Sequence, residues 1–464
     1  EEAKAGSTLG EGVVVGGSDG PAMAGVVGLE DGRTGNKEDG PRLMKMDAGL
    51  AGDGGVALKD VREATPAEGV ARTGNAGGVK GAGGVPIAAS GKGPGEEFGI
   101  RLPEIPTEQV DPLESFAQRA PEVRSELLEK MGGSRETEAA VGRALGWLAR
   151  HQGDDGRWSS RGFDASCGSC DDAATVDADV AMTGMALLCY LGAGHTHMGE
   201  GPYREVVSKG IEWLLSRQDG RGDMRGRETM YGQTVATVAL CEALSMTKDE
   251  RLKEPARRAA DFVVGVAAAP RRAGEQVRPE DTSVIGWLVM TVESARRAGI
   301  PVPPEVYLNA GRWLERVASR EEPGGYAYKA GERATAAMTA EAMFVQQILG
   351  RRREDPMMRR SAEYLLRQPP AWREGAPTHS WYYATLALFE QQGESWKTWN
   401  ASMREELLRG QRRDGGAAGS WDPQDEWSRL GGRIYQTAVC TLCLEVYYRY
   451  APSESKAEGG EGGG

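Results

Sequence analysis

The chain lacks any concentration of positive charge. Its 56 Lys and Arg residues are outnumbered by 68 Asp and Glu residues, and the net charge is −12. Because neutralising phosphates requires a net basic face, the composition excludes a nucleic-acid partner. The chain also lacks an apolar run of the roughly 18–20 residues that a transmembrane helix needs, so we predict no membrane span within it. No phosphate-binding loop and no His-Glu-x-x-His helix is present, which argues against a P-loop protein and a zinc protease.

Aromatic residues are almost missing from the first hundred positions. Residues 1–98 are mostly Gly, Ala and acidic residues, and such a segment buries too little apolar surface to offset the entropy lost on folding. We therefore predict that 1–98 is disordered, and we predict the same for the tail over 452–464. Residues 99–134 are interpreted as an entry segment with a short amphipathic helix from Leu113 to Met131, and residues 135–451 as the folded domain. Since the first residue is not Met, we expect that an upstream signal or anchor was removed or left out.

The folded region contains a pattern that recurs about every fifty residues. Each copy begins with an amphipathic segment centred on a large apolar residue, and some copies continue into Gln, Gly and Trp. The centres lie 43 to 66 residues apart, which indicates one supersecondary unit copied in tandem. The six centres are Trp147, Trp213, Phe262, Trp313, Tyr364 and Leu407.

A second class of segment lies between these centres and is apolar almost throughout. Its helical length and few charges suit a helix buried on most sides, whereas the amphipathic segments suit a helix with one solvent face. Six helices of each kind predict an all-α fold, an α6/α6 toroid, and an open superhelical solenoid is the alternative. We favour the toroid because closing the ring buries the apolar helices without caps. The apolar segments are Thr175–Leu191, Met230–Ser245, Thr282–Ala298, Ala334–Leu349, Ser380–Gln391 and Ile434–Tyr450.

The end of the first copy carries a Gln-x-x-x-Gly-x-Trp pattern, formed by Gln152, Gly156 and Trp158. This pattern resembles the QW repeat of squalene-hopene and oxidosqualene cyclases, and it is related to the repeats of protein prenyltransferase β-subunits. The region also looks like bacterial proteins with prenyltransferase and squalene-oxidase-type repeats. The resemblance implies a terpenoid cyclase/prenyltransferase-like barrel whose central cavity opens near the N-terminal ends of the inner helices. The localisation stays open between the bacterial cytoplasm and the cell envelope.

In the family that the chain resembles, the Gln and Trp of the repeat are structural. The Gln side chain bonds the backbone at a helix end, and the Trp ties neighbouring repeats together. The resemblance therefore implies that two pairs, Gln152 with Trp158 and Gln411 with Trp421, tether repeats and take no part in catalysis.

An acidic pair stands where the first inner helix begins. Class II terpene cyclases carry Asp-x-Asp-Asp, whose middle acid protonates an alkene, and Asp177 and Asp179 match its first two acids. Val180 replaces the third acid. If the chain is such a cyclase, Asp179 is the general acid and Asp177 tunes it. The alternative is structural, since acids at a helix N-terminus are favoured by capping and by the helix dipole.

Several polar and aromatic residues of the inner segments are candidates for lining a central cavity. Aromatic faces stabilise carbocations in the family that the chain resembles, yet aromatic residues make up only 6% of this chain. Packing in the core is the alternative role for the same side chains. The candidate cavity or ligand-binding residues are Tyr231, Gln233, Trp287, His379, Trp381 and Tyr435.

Metal and cofactor chemistry has little support in the sequence. Cys167 and Cys170 form a Cys-x-x-Cys that could close as a disulfide or bind a metal, but zinc prefers four ligands and no second such pair follows. His195 and His197 could bind a metal adventitiously. The Asp, Cys and His that hold zinc in protein prenyltransferases are not found. We predict no metal and no cofactor.

Two classes of function remain. The first is a non-catalytic binding or scaffold module with an apolar central cavity, whose partner is an isoprenoid-like ligand or a protein. The second is a class II terpenoid cyclase-like enzyme that protonates an isoprenoid with Asp179. The missing third acid and the poor match of the middle repeats to the pattern favour the first class.

Overall fold

The computed structural model describes residues 114–168, 170–268 and 282–449. The two segments predicted to be disordered, 1–98 and 452–464, lie outside the described residues, as does the start of the entry segment. No helix in the described part of the chain is long and apolar enough to cross a bilayer.

The described residues form helices with one short hairpin, in which β1 (Tyr326–Ala327) pairs antiparallel with β2 (Ala334–Thr335). Helix α1 (Pro121–Lys130) precedes the repeats, and α14 (Val446–Arg449) follows them. The outer helices are α2 (Arg135–Arg150), α4 (Arg204–Arg217), α6 (Glu250–Ala268), α8 (Pro304–Val317), α10 (Pro356–Leu366) and α12 (Gly393–Gly410). The inner helices are α3 (Asp179–Gly192), α5 (Met230–Thr247), α7 (Thr282–Arg297), α9 (Ala336–Ile348), α11 (Thr378–Gln391) and α13 (Glu426–Leu444).

The inner helices form a closed ring. Each packs against the next along the chain from α3 to α13, and α13 packs back against α3. The inner helices are buried on most sides and the outer helices on one side, as the sequence predicts. Every residue of α3 from Val180 to Gly192 is buried, whereas α4 buries only one stripe. The all-α toroid predicted from the sequence is therefore confirmed, and the open solenoid is excluded.

The helix bounds differ from the sequence expectation at several places. Helix α3 starts at Asp179, four residues after the expected Thr175. The entry helix is broken, with a 3₁₀ turn over Glu114–Arg119 before α1, because Pro121 forces Ala120 into an extended conformation. Helix α9 starts two residues late because Ala334 and Thr335 belong to β2. Helix α13 starts early, at Glu426, and is interrupted by Gly432 at φ 69° and ψ −164°.

Glutamine side chains join the first and the last repeat to the next outer helix around the ring. Nε2 of Gln152 donates to the carbonyl of Gly156 at 2.8 Å and to that of Val206 in α4 at 2.9 Å. In the last repeat, Nε2 of Gln411 donates to the carbonyl of Ala140 in α2 at 2.9 Å, so this bond joins the last repeat to the first.

The tryptophans of the same loops are completely buried. Nε1 of Trp158 donates to the carbonyl of Leu148, and Nε1 of Trp421 donates to that of Leu407, each at 2.8 Å. Inner-helix threonines hold the backbone of these loops, since Oγ1 of Thr183 accepts from the N–H of Trp158 and Oγ1 of Thr437 from that of Trp421. These contacts fix each loop between its own outer helix and the inner ring.

The C-terminal ends of three inner helices, α3, α5 and α13, meet around a buried ionic cluster, which we define as Arg119, Glu242, Glu445 and Arg449. Nη1 of Arg119 lies 2.9 Å from Oε2 of Glu242, and Nη2 of Arg449 lies 3.0 Å from Oε1 of the same residue. None of the four residues is more than 3% exposed. Burial would raise the pKa of Glu242, but Arg449 and Arg119 outweigh it and hold that pKa below its ordinary value. For Glu445, burial prevails and raises the pKa well above its ordinary value.

Candidate functional site

At the opposite end of the ring, aromatic side chains from four inner helices meet. We define the aromatic cluster as Tyr231 of α5, Trp287 of α7, Tyr382 and Tyr383 of α11, and Tyr435 of α13. The ring centroid of Trp287 lies 5.4 Å from that of Tyr231 and 6.2 Å from those of Tyr382 and Tyr383. All five side chains are buried. Tyr231, Trp287 and Tyr435 are cavity candidates from the sequence, and the fold brings them into this one cluster.

Polar groups are embedded in the aromatic cluster. Among the residues that the structure describes, the buried hydroxyl of Tyr383 has no hydrogen-bond partner. A Cβ placed on Gly286 would lie 2.9 Å from this hydroxyl and 3.1 Å from Oε2 of Glu341, so both polar groups converge over the glycine. Burial, with Glu341 adding to it, raises the pKa of Tyr383 well above its ordinary value, and the hydroxyl remains a neutral donor. A buried neutral donor next to a carboxylate can bind a hydroxyl group of a ligand.

A histidine and an aspartate lie at the edge of the aromatic cluster. Nδ1 of His379 lies 3.3 Å from Oδ2 of Asp425, and the His379 ring packs on Trp427, whose Nε1 donates to the hydroxyl of Tyr435 at 2.9 Å. Burial would raise the pKa of Asp425, but hydrogen bonds from His379 and Ser428 outweigh it and lower that pKa. Asp425 also caps α13 through Ser428, so its carboxylate both starts a helix and orients the imidazole.

The acidic pair at the start of α3 contacts the preceding loop. Oδ1 of Asp179 accepts from the N–H of Ser160 at 2.8 Å and from its hydroxyl at 3.0 Å, and Oδ2 lies 3.3 Å from Nη1 of Arg157. The side chain of Asp177 is 84% exposed and pairs with Arg161 at 3.2 Å. Asp179 therefore holds the preceding loop against the start of α3, and Asp177 forms an ion pair at the surface.

The sequence reasoning missed Glu228, which occupies the N-terminus of α3. Its carboxylate accepts from the N–H of Val180 at 2.7 Å and from that of Ala181 at 3.2 Å. Burial, reinforced by Asp179 and opposed by the two backbone hydrogen bonds, raises the pKa of Glu228 to about 7. Glu228 belongs to the loop before α5 and has no motif around it, so only the packing of α5 beside α3 reveals it.

The pKa of Glu228 predicts a pH-dependent stability. The folded protein holds this proton up to about pH 7, whereas the unfolded chain releases it near the ordinary value of 4.5, so the unfolding free energy falls as pH rises between these values. The fall amounts to at most about 3 kcal/mol. We expect Glu228→Gln to lose less stability than the wild type between pH 4.5 and pH 7.5 in urea unfolding. The exposed Glu205→Gln serves as the control, and identical pH profiles for all three proteins would contradict the raised pKa.

Two further cavity candidates, Gln233 and Trp381, contact residues outside the aromatic cluster. Oε1 of Gln233 accepts from the N–H of Met224 at 2.8 Å, and its Nε2 donates to the carbonyl of Gly222 at 2.9 Å. Gln233 thus holds the loop of the second repeat, as Thr183 does in the first. Trp381 packs against Trp372, with ring centroids 6.3 Å apart.

A buried arginine beside the kink in α13 gathers acids from two loops. Nη2 of Arg433 lies 2.8 Å from Oδ1 of Asp171 and 2.6 Å from Oδ2 of Asp172, and Nη1 lies 2.5 Å from Oδ1 of Asp422. The extended ψ at Gly432 lets the N–H of Arg433 donate to the carbonyl of Asp172. The acids that crowd before α3 in the sequence therefore have different partners, two on Arg433 and two on the loop that precedes them.

The Cys-x-x-Cys lies next to this anchored loop. The structure brings His151 to it, with Nε2 3.3 Å from Sγ of Cys170. Burial, with Cys167 adding to it, raises the pKa of Cys170 to about 11, so the bare site favours the neutral thiol. His195 and His197 lie elsewhere, against Tyr203 and Asp249.

The closed ring of six inner and six outer helices defines an α/α toroid, and solved structures of this fold resemble it. No protein-family model and no curated protein matches the chain. An unsaturated glucuronyl hydrolase from Bacillus sp. GL1 is 16% identical with a TM-score of 0.49, covering 68% of this chain and 100% of that chain. A type II terpene cyclase from Scytonema is 15% identical with a TM-score of 0.41, covering 67% of this chain and 98% of that chain. These likenesses concern the fold alone.

Proposed function

We propose that this toroid is a non-catalytic binding module whose aromatic cluster holds an apolar, isoprenoid-like molecule with one hydroxyl group. The observation that carries the proposal is the buried hydroxyl of Tyr383, which has no hydrogen-bond partner among the described residues and lies beside aromatic rings from four helices. A buried polar group without a partner costs about 1–3 kcal/mol, and a ligand hydroxyl would remove that cost.

The surrounding side chains suit a flexible hydrocarbon. Aromatic rings pack tightly on apolar chains without requiring a fixed orientation. The missing side chain of Gly286 lets the hydroxyl of Tyr383 and Oε2 of Glu341 approach the backbone of α7, where a Cβ would lie 2.9 Å and 3.1 Å from them. Glu341 can accept the hydrogen that a ligand hydroxyl donates, while Tyr383 donates to the same oxygen. The QW pattern at Gln152 and Trp158 independently suggests the isoprenoid class.

The contacts of Asp179 support binding without catalysis. Protonating an alkene requires a strong acid directed into an apolar space. The oxygens of Asp179 instead fasten Ser160 and lie near Arg157, a half-exposed residue, and Val180 stands where the third acid of the cyclase motif would be. Asp179 therefore secures the start of α3 in this proposal.

Tryptophan fluorescence tests the binding, because Trp287 lies in the aromatic cluster. The full chain is titrated with geranylgeraniol, which has a hydroxyl, and with squalene, which has none. We expect Tyr383→Phe to weaken the binding of geranylgeraniol by about 2–10-fold, which is the value of one hydrogen bond. The affinity for squalene should be unchanged. Asp179→Asn should bind both as the wild type does. Tyr190→Phe is the matched control, since this buried tyrosine bonds the carbonyl of Leu145 outside the cluster.

Mass spectrometry of the same incubations tests the absence of catalysis. We expect both isoprenoids to be recovered unchanged. A cyclic product that disappears in Asp179→Asn would replace the binding module with a class II cyclase. A fluorescence response absent for both ligands would overturn the isoprenoid-binding site itself.

A further inference from the structure

Three side chains that can bind a metal converge at the end of α2. Nε2 of His151, Sγ of Cys167 and Sγ of Cys170 all lie within 4.8 Å of one another. In the described part of the chain, no other group of three His, Cys, Asp or Glu residues meets this closely. His151 and Cys170 are buried, and Cys167 is half-buried.

The imidazole of His151 is already oriented as a ligand. Its Nδ1 lies 2.7 Å from the carbonyl of Trp147, and since a carbonyl oxygen only accepts hydrogen bonds, Nδ1 carries the hydrogen. Nε2 then presents its lone pair toward Cys170. Stacking on Trp147, with centroids 4.1 Å apart, and contact with Phe163 fix the ring plane. Metal-binding histidines usually have this arrangement, in which a backbone carbonyl holds the second nitrogen.

The dimensions suit a tetrahedral ion of borderline softness. With Zn–S about 2.3 Å and Zn–N about 2.0 Å, ligand atoms at tetrahedral angles lie about 3.5–3.8 Å apart. The 3.3 Å separation of Cys170 Sγ and His151 Nε2, and the 4.8 Å limit for all three atoms, bracket that range. Small rotations of the side chains bring the three atoms to one centre, and Gly168, at φ 62° with open space around it, gives the Cys-x-x-Cys loop its turn.

We propose that His151, Cys167 and Cys170 bind one Zn²⁺, with solvent as the fourth ligand beside the half-buried Cys167. The ion joins the end of α2 to the loop that continues into Asp171 and Asp172. Since those acids bind Arg433, the metal and the arginine together fasten the connection between α2 and α3. This site is separate from the aromatic cluster and does not depend on isoprenoid binding.

Cobalt spectroscopy tests the site in the wild-type full chain. The reduced, metal-free protein is titrated with Co²⁺ and then with Zn²⁺. We expect Co²⁺ to release protons from the thiols as it binds and to give a thiolate charge-transfer band and the visible bands of tetrahedral cobalt at one ion per chain. Stoichiometric Zn²⁺ should then remove both sets of bands. The wild-type spectrum decides the question even if a variant fails to fold.

Cys167→Ser changes the most accessible ligand and should lower the affinity for Zn²⁺ by at least about 100-fold. That loss exceeds the 10–100-fold typical of removing a residue that only hydrogen-bonds to a ligand. Cys241→Ala, a buried cysteine of α5, should bind Zn²⁺ as the wild type does. Cobalt bands that persist in Cys167→Ser would overturn the ligand set. No cobalt bands in the reduced wild type, or a Cys167–Cys170 disulfide that resists reduction, would overturn the metal site.

Discussion

Replacing Arg449 with Met should lower the free energy of unfolding by about 3–5 kcal/mol, as expected when one partner of a buried ion pair is removed. Nη2 of Arg449 bonds both oxygens of Glu242, at 3.0 and 3.1 Å, and Nη1 donates to the carbonyl of Leu188. Nη1 also lies 3.6 Å from Oε2 of Glu445. The variant leaves the two buried carboxyl groups of Glu242 and Glu445 with Arg119 as the one cation of the ionic cluster.

Urea unfolding of three variants separates the lost pairing from lost packing. The double variant Glu242→Met with Arg449→Met removes one charge of each sign, and we expect it to be more stable than Arg449→Met because fewer charges remain uncompensated. Lys397→Met, which breaks an exposed pair with Glu394, should change stability little. A double variant that is no more stable than Arg449→Met would show that shape, and not charge pairing, dominates the ionic cluster.

Gly419→Ala should destabilise the ring by about 2–5 kcal/mol, because conformational strain and steric overlap add at one position. Gly419 has φ +102°, a conformation that side chains rarely adopt, and a Cβ there would lie 2.4 Å from the carbonyl oxygen of Arg143 in α2. The overlap involves backbone, so relief requires that the last repeat move away from the first. That movement would also stretch the bond from Gln411 to Ala140.

Gly415→Ala is the matched control in the same loop. Gly415 has φ +59°, but no atom lies within 4 Å of the added Cβ, so this variant has the strain without the overlap. We expect thermal unfolding to show a loss of about 1–2 kcal/mol for Gly415→Ala, the ordinary cost of a left-handed residue. Equal losses in both variants would mean that the close approach to Arg143 contributes nothing.

The fold was predictable because its signal is local and repeated. Apolar segments such as Met230–Ser245 become buried inner helices, and the amphipathic segment around Trp213 becomes an outer one. The predicted helix bounds were wrong where a single residue changes the backbone conformation. Pro121 ends the 3₁₀ turn, and Gly432 interrupts α13, and neither effect appears in hydrophobic periodicity.

The polar sites were harder to predict because their members are far apart in the chain. Arg119 and Arg449 are 330 residues apart, and Arg433 binds acids about 260 residues away. Only ring closure brings such residues together. His151 illustrates the same difficulty over a shorter distance, since in the sequence it stands beside the repeat Gln152, whereas the turn after α2 places it beside Cys170.

The bond between Gln411 and Ala140 also has a consequence for synthesis on the ribosome. The first outer helix emerges early, but its partners Gln411 and Gly416 are made some 270 residues later. An incomplete chain therefore presents α2 and the flank of α3 without the helix that covers them. Each nascent toroid must keep this apolar surface from other chains until its last hairpin leaves the exit tunnel, so aggregation of incomplete chains is the expected failure of its folding.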